Sequence, residues 1–295
     1  MAGTPETVAV LGIGAMGHGL AGSALRAGIR TIVWNRNKAA TRDLAEAGAE
    51  VAETAAEAAQ RAEIVVTMVT DTDAVLSIAR EHGVLAALRP DAIWAQMSTV
   101  GVAGADKIAD LVRTERRDVT FLDAPVSGSR EPAERGELTI FASGPQEARP
   151  RITPFFNAVG QRTIWVGPAG SGSRLKVVNN TWLAFASEAV VSSMAVARRL
   201  GLPTETVVNA FSANALVSAW QEAKLQRIAK EEYSPQFSLE LALKDVRLAL
   251  QVTNDDQFAA LAGLAEEWQR ALLRGYGDED LTVVARTLEP LEATR

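Results

Sequence analysis

The sequence predicts an α/β doubly wound, parallel sheet domain followed by an all-α domain, the two joined by a long interdomain helix. Three observations carry this. A strand-like run, Thr7-Val-Ala-Val-Leu11, leads straight into Gly12-Ile13-Gly14-Ala15-Met16-Gly17 and an Ala/Leu-rich helix that stops at Gly28. Short apolar runs then alternate with helical stretches through the first half of the chain. After Gly172 the apolar period becomes helical and stays so to the end.

Taken in order, strands are expected at 7–11, 31–34, 63–69 (Glu63-Ile-Val-Val-Thr-Met-Val69), 92–97 (Ala92-Ile-Trp-Ala-Gln-Met97), 119–122 and 138–142. Helices are expected between them, at about 15–27, 38–47, 54–60, 72–80 and 101–115. Such alternation predicts a parallel sheet, with ligands outside the carboxyl ends of its strands. From Ser173 to Leu200 there is neither Gly nor Pro, and Leu175, Val178, Leu183, Ala186, Val190, Met194 and Ala197 recur at helical spacing. A helix of that length, about 40 Å, is longer than a small domain is wide. It is expected to bridge domains at 1–167 and 168–295, and to bury its apolar circumference in a homodimer.

The glycine loop is the strongest chemical signal. Gly12 permits the tight turn, Gly14 lets a pyrophosphate approach the backbone, and Gly17 lets helix and strand pack closely. The helix N-terminus offers free N–H groups and the positive end of its dipole to phosphate. NAD-selective sites usually carry an acid at the end of the second strand, on the ribose 2′-OH. Here that strand ends in Trp34-Asn35-Arg36-Asn37-Lys38, with no acid. Arg36, helped by Asn35 and Asn37, is suited to clamp a 2′-phosphate, so NADP(H) is preferred to NAD(H). The plain alternative is that Arg36 and Lys38 are solvated loop charges.

Composition excludes several classes. The 295 residues are 47% hydrophobic and 22% charged, as in ordinary globular chains. A net charge of −6 with no Lys/Arg-rich run argues against a nucleic-acid surface. Zero cysteines exclude disulfides and thiolate chemistry, and two histidines, His18 and His82, suggest no metal site. No apolar run is long enough to span a bilayer and no leader pattern opens the chain, so a cytoplasmic protein is expected.

Three further segments could carry chemistry. Lys176 and Asn180 stand one turn apart on the long helix, with Asn179 beside them. A lysine at the first turn of an apolar helix, after a glycine-rich entry, is placed to serve as a proton donor. A snorkelling surface lysine is the plain alternative. Ser127-Gly128-Ser129 follows a strand ending at Pro125 and could seat a carboxylate as an anion nest, or be a commonplace turn. Ser98-Thr99 lies at the ligand edge after the fourth strand, with helix capping as its other reading. Lys244-Asp245 sits inside an apolar-periodic helix, where an ion pair is the usual explanation.

Together these pieces resemble the β-hydroxyacid dehydrogenases, the group containing 3-hydroxyisobutyrate dehydrogenase and tartronate semialdehyde reductase. The match runs in order through Gly12-Ile-Gly-Ala-Met-Gly17, Asn35-Arg36, Ser98-Thr99, Asp123-Ala-Pro-Val-Ser-Gly128, Gly136-Glu-Leu-Thr-Ile140, Gly170-x-Gly172 leading to Lys176-Val-Val-Asn-Asn180, and Lys244-Asp245. The resemblance implies a Rossmann-type cofactor domain like that of 6-phosphogluconate dehydrogenase, an all-α second domain and dimers sharing the long helix. It implies that Lys176 is the general acid/base, that Asn180 orients the reacting oxygen, and that Ser127-Gly128 bind a substrate carboxylate. It also implies that Val69, Thr99 and Lys244 line the cofactor. The chain departs from the family in carrying Ser129 where a second glycine is usual. Trp182 and Trp220 flank pocket-lining segments, which makes Trp220 a substrate-binding candidate for a bulkier or more apolar substrate. Imine reductases share the fold and cofactor motifs but generally lack the lysine at position 176. They are the alternative reading, with a catalytically silent NADP-binding regulator behind them.

Overall fold

The computed structural model describes residues 6–212, 214–253 and 257–288. In chain order, its first part comprises β1 (Val8–Leu11), α1 (Ala15–Arg26), β2 (Thr31–Trp34), a 3₁₀ turn at Lys38–Thr41, α2 (Arg42–Glu46), β3 (Glu50–Val51), α3 (Ala55–Arg61), β4 (Ile64–Thr67), α4 (Thr72–Arg80), α5 (Val84–Ala87), β5 (Ile93–Gln96) and α6 (Gly101–Glu115). There follow β6 (Thr120–Asp123), β7 (Val126–Ser127), α7 (Arg130–Arg135), β8 (Leu138–Ser143), α8 (Arg149–Val159), β9 (Gly160–Gly167) and the long α9 (Ser171–Arg199). The last part is α10 (Thr204–Phe211), α11 (Ala219–Ala229), α12 (Leu239–Leu250), α13 (Ala259–Leu273) and a 3₁₀ segment at Leu281–Thr287.

The sheet order is β3-β2-β1-β4-β5-β6-β8-β7, with β9 on β8. Strands β3 to β6 pair in parallel, as the βα alternation requires. The far side corrects the all-parallel expectation: β8 runs antiparallel to β6 and β7, while β9 returns parallel to β8. A hairpin-like return replaces a helical crossover there, because only the short α7 separates β7 from β8. The all-apolar run Val8–Leu11 follows from burial on both sheet faces. Val8 and Val10 pack with Leu20, Ala24 and Phe155 on one face, and Ala9 and Leu11 with Ala58, Val75 and Ile108 on the other.

Helix α1 ends where Gly28 adopts φ 76°, and the Ile29 N–H reaches back to the Ala24 carbonyl at 3.0 Å. The stretch expected as one helix at 38–47 is a 3₁₀ turn capped by Asn37, whose side chain accepts from the Ala39 N–H, followed by a single α-turn. β3 and β7, two residues each, are too short to show a period, and the partly exposed edge strand β9 opens on the polar stretch Gln161-Arg162-Thr163 before its short apolar run.

The compact packing divides the chain between Val177 and Val178, inside α9. The second unit is helical: among its described residues the only β-type pairing is an isolated bridge between Ser238 and Asp280. Its core includes Leu225, Ile228, Leu239, Leu243, Leu261, Trp268 and Val284. Among the described residues no helix is long and apolar enough to cross a membrane, and no cluster of three or more acidic or histidine side chains could hold a metal ion.

Candidate active site

The six parallel strands β3, β2, β1, β4, β5 and β6 end at one edge, and most of the predicted residues gather there. Gly12 has φ 97°, and a Cβ on it would lie 2.4 Å from the Met68 carbonyl and 2.6 Å from Val69 Cγ1. A Cβ on Gly17 would lie 1.9 Å from the Gly12 carbonyl. Both glycines are therefore demanded by the backbone packed against them. Gly14 differs: a Cβ there would meet nothing within 4 Å. Gly14 is also the N-cap of α1, and no side chain caps the helix. The first turn of α1 is thus left without a side-chain cap beside the open space at Gly14, the polarity and room a pyrophosphate needs. The loop fits a dinucleotide.

Asn35 ties this loop to the end of β2, accepting the Ile13 N–H at 3.0 Å and donating to the Asn37 carbonyl at 3.0 Å. The Asn35 and Asn37 amides therefore shape the loop. Arg36 is exposed and makes no hydrogen bond or ion pair among the described residues. It lines a cleft of about 290 Å³ with Trp34, Asn35, Lys38, Thr41, Val51, Ala52, Glu53 and His82. Lys38 is paired with Glu53 at 2.6 Å, and the His82 ring lies 5.0 Å from that of Trp34. Glu53 and His82 escaped sequence reasoning, since only the two-residue β3 and the end of α4 bring them to β2. The other histidine, His18, sits on α1 and meets Asp43 at 2.6 Å.

Val69 N–H donates to the Ser98 hydroxyl at 2.8 Å, linking the ends of β4 and β5. Neither Ser98 nor Thr99 caps α6, whose N-cap is Val100. Thr99 is half-buried in the loop just after β5.

The start of α9 is pinned to β6 and β8. Asp123, fully buried, accepts the Ser173 N–H at 2.8 Å and the Ser173 hydroxyl at 2.7 Å. Ser143 donates to the Asp123 carbonyl at 2.9 Å and accepts the Gly172 N–H at 2.9 Å. A Cβ on Gly172 would lie 2.2 Å from the Phe141 carbonyl, so helix and sheet touch through backbone. Burial pushes the Asp123 carboxyl up, and the Ser173 and Ser143 hydrogen bonds oppose that rise. Asp123 was legible only as part of a motif; the physical signal was a carboxylate at the end of an apolar strand, which needs donors.

Lys176 follows three residues after Ser173 and is 8% exposed. It lies in the second turn of α9 rather than the first, because the helix begins at Ser171. Ser127 belongs to β7, opposite Thr139, rather than to a turn. The turn is made by Gly128 (φ 132°), where a Cβ would lie 2.6 Å from Leu138 Cδ2, and Ser129 is the N-cap of α7. In the second unit, Asn180 is buried, accepts from Asn179 at 2.9 Å and donates to Asp245. Lys244 meets Asp245 at 3.0 Å, the ion pair expected from an apolar helix face. Trp220 stands on α11 with its ring 5.6 Å from Lys224 Nζ. Lys224 in turn is buried against Asp280 at 2.8 Å and Gln236 at 2.9 Å, and burial pulls its ammonium below the usual lysine range.

The anchor at α9 carries a measurable consequence. Asp123→Ala leaves buried donors on Ser173 unpaired and should cost about 3 kcal/mol, whereas Ser173→Ala, removing one donor, should cost about 1 kcal/mol. Urea unfolding checks both; equal and negligible losses would mean that the anchor carries no stability.

Comparison with known proteins agrees with this geometry. Residues 7–167 match the NAD binding domain of 6-phosphogluconate dehydrogenase, and residues 170–288 the family described as NAD-binding of NADP-dependent 3-hydroxyisobutyrate dehydrogenase. The chain is 29% identical to glyoxylate/succinic semialdehyde reductase 1 of Arabidopsis thaliana, over 96% of this chain and 98% of that one. It is 31% identical to 3-sulfolactaldehyde reductase of Escherichia coli, over 94% of each. The solved structure of 3-hydroxyisobutyrate dehydrogenase from Salmonella typhimurium superposes with a TM-score of 0.86 at 28% identity, over 95% of this chain and 99% of that one. An imine reductase from Myxococcus stipitatus, 24% identical with a TM-score of 0.65 over 96% of this chain and all of that one, shares the fold. With its nicotinamide-dinucleotide loop, its mostly parallel sheet and its helical second part, the chain belongs to the β-hydroxyacid dehydrogenase family, oxidoreductases acting on CH–OH groups.

Proposed function

We propose that this protein uses NADP(H) to interconvert the carbonyl and alcohol forms of a small acid, with Lys176 as the general acid/base. The observation that carries the reading is a buried lysine whose helix is anchored, one turn earlier, to the strand end at Asp123. When bound, the nicotinamide supplies or accepts the hydride. Lys176 holds a proton at Nζ and delivers it to the substrate oxygen as negative charge develops there; in oxidation the neutral amine takes it back. Asn180, held by Asp245, orients that oxygen. Ser127, with Gly128 and Ser129, holds the acid group of the substrate, and Trp220 supplies apolar wall. Gly12 to Gly17, Asn35, Arg36, Asn37, Val69, Thr99 and Lys244 hold the cofactor, its phosphates against residues 1–167. The relatives are named for glyoxylate, succinic semialdehyde and 3-sulfolactaldehyde, each a small acid bearing an aldehyde carbon. That set, with cyclic imines as the rival class, is the screen that tests the reading through NADPH absorbance.

The proposed assembly is a cytoplasmic homodimer through α9. Val178, Trp182, Phe185, Val196 and Leu200 are exposed, Trp182 to 79%, and their helical spacing places them on one stripe. Light scattering at micromolar concentration should give twice the chain mass. A fully active monomer would refute the dimer.

Lys176→Ala should lower kcat by about 10²–10⁴-fold on any substrate the screen identifies. Cofactor affinity should stay put, because the phosphates are assigned to the glycine loop and Arg36. Lys176→Arg should be nearly as damaging, since guanidinium keeps its proton at working pH. Near-native rates for the arginine variant would reduce Lys176 to an electrostatic anchor, and an alanine variant that unfolds would make it structural.

Arg36→Ala should weaken NADPH far more than NADH, by about tenfold in the ratio of the two Kd values, because a charged hydrogen bond to phosphate contributes about 1.5–3 kcal/mol. An unchanged ratio would overturn the assignment of the phosphate to this cleft.

A further inference from the structure

The acid absent from the end of β2 is supplied from elsewhere. Glu53 follows β3, and the Ala52 N–H still donates to the Val33 carbonyl at 3.0 Å, which brings Glu53 alongside the end of β2. Its carboxylate lines the same cleft as Arg36, and it holds Lys38 at 2.6 Å. The cleft thus contains two cations, of which one is already neutralised and the other is free of any partner among the described residues. Both members of the pair are exposed, so the pair itself is weak and readily exchanged for a stronger partner.

We propose that Glu53 is a cofactor-selectivity residue that restrains the preference for NADPH. A 2′-phosphate entering the cleft meets the full charge of Arg36, but it meets Lys38 only in competition with Glu53, and it is repelled by the Glu53 carboxylate itself. A ribose bearing only a 2′-OH suffers no such repulsion, and the same carboxylate is the acceptor that a 2′-OH can use. Glu53 therefore penalises the phosphorylated nucleotide while sparing the other, and Lys38 limits the penalty. This rests on the assignment of the 2′-phosphate to the Arg36 cleft, made above.

Among the described residues the Glu53 side chain makes no hydrogen bond or ion pair other than that with Lys38. The N-terminus of α3 is capped by Thr54, whose side chain accepts the Glu57 N–H, and the Glu53 backbone N–H donates to Glu57. Glu53→Gln is accordingly a clean variant.

The test is isothermal titration of the whole protein with 2′,5′-ADP and 5′-AMP, beside fluorescence titration with NADPH and NADH. Glu53→Gln should tighten 2′,5′-ADP and NADPH about three- to tenfold, while 5′-AMP and NADH stay within about twofold. The gain should shrink in about 0.5 M salt, as expected of exposed charges. Lys38→Ala, which leaves the carboxylate uncompensated, should weaken 2′,5′-ADP and NADPH and again spare the other two. If Arg36→Ala lowers the preference for 2′,5′-ADP but Glu53→Gln leaves it unchanged, the role of Glu53 is overturned and that of Arg36 stands. If neither variant moves the preference, the phosphate does not bind in this cleft and both assignments fall.

Discussion

The arrangement of the first unit depends on how a buried carboxylate is satisfied. Asp123 ends a central strand in a place where no solvent reaches it, and an ion there without donors would cost more than the fold could absorb. It finds its donors at the first turn of α9, from the Ser173 backbone and hydroxyl, while Ser143 joins the Asp123 carbonyl to the Gly172 N–H. A negative group at a helix N-terminus is also where the helix dipole favours it. The outcome is geometric as well as energetic. The first turn of α9 is held to β6 and β8, and Lys176 stands on the next turn.

The same logic of backbone against backbone governs the cofactor loop. Gly12, Gly17 and Gly172 each stand where a Cβ would strike a carbonyl oxygen, whereas Gly14 faces open space. Three of these glycines close the protein on itself and one leaves room for a ligand. A glycine motif read as a single signature therefore contains two physical requirements, close packing within the chain and close approach from outside it.

Charge is distributed differently at the two kinds of site. In the cleft at the end of β2 the cations are exposed, and one of them is paired with a neighbouring carboxylate. In the second unit, Lys224 is buried against Asp280, and half-buried Lys244 stands beside the buried Asp245, which also receives Asn180. A buried pair such as Lys224 with Asp280 is costly to break and holds its side chains in one arrangement.

Much of this was legible in the sequence, because periodicity and special residues are local. The glycine loop, the apolar strands β1, β2, β4, β5 and β6, the helices α1, α3, α4 and α6 and the uninterrupted run of α9 each follow from neighbours within a few residues. Lys176 and Asn180 could be placed on one face by counting. What escaped were the features that depend on distant partners. The antiparallel return of β8 and the two-residue strands β3 and β7 exist only because a neighbouring strand supplies their hydrogen bonds. Ser127 reads as a turn residue by composition but is held in a strand by Thr139. Glu53 lies 18 residues after Asn35 and looks like a surface acid at the start of a helix, yet the pairing of β3 with β2 carries it into the cleft beside Arg36. Local conformation is decided by local chemistry; which charges share a site is decided by strand order, and strand order is a property of the packed chain.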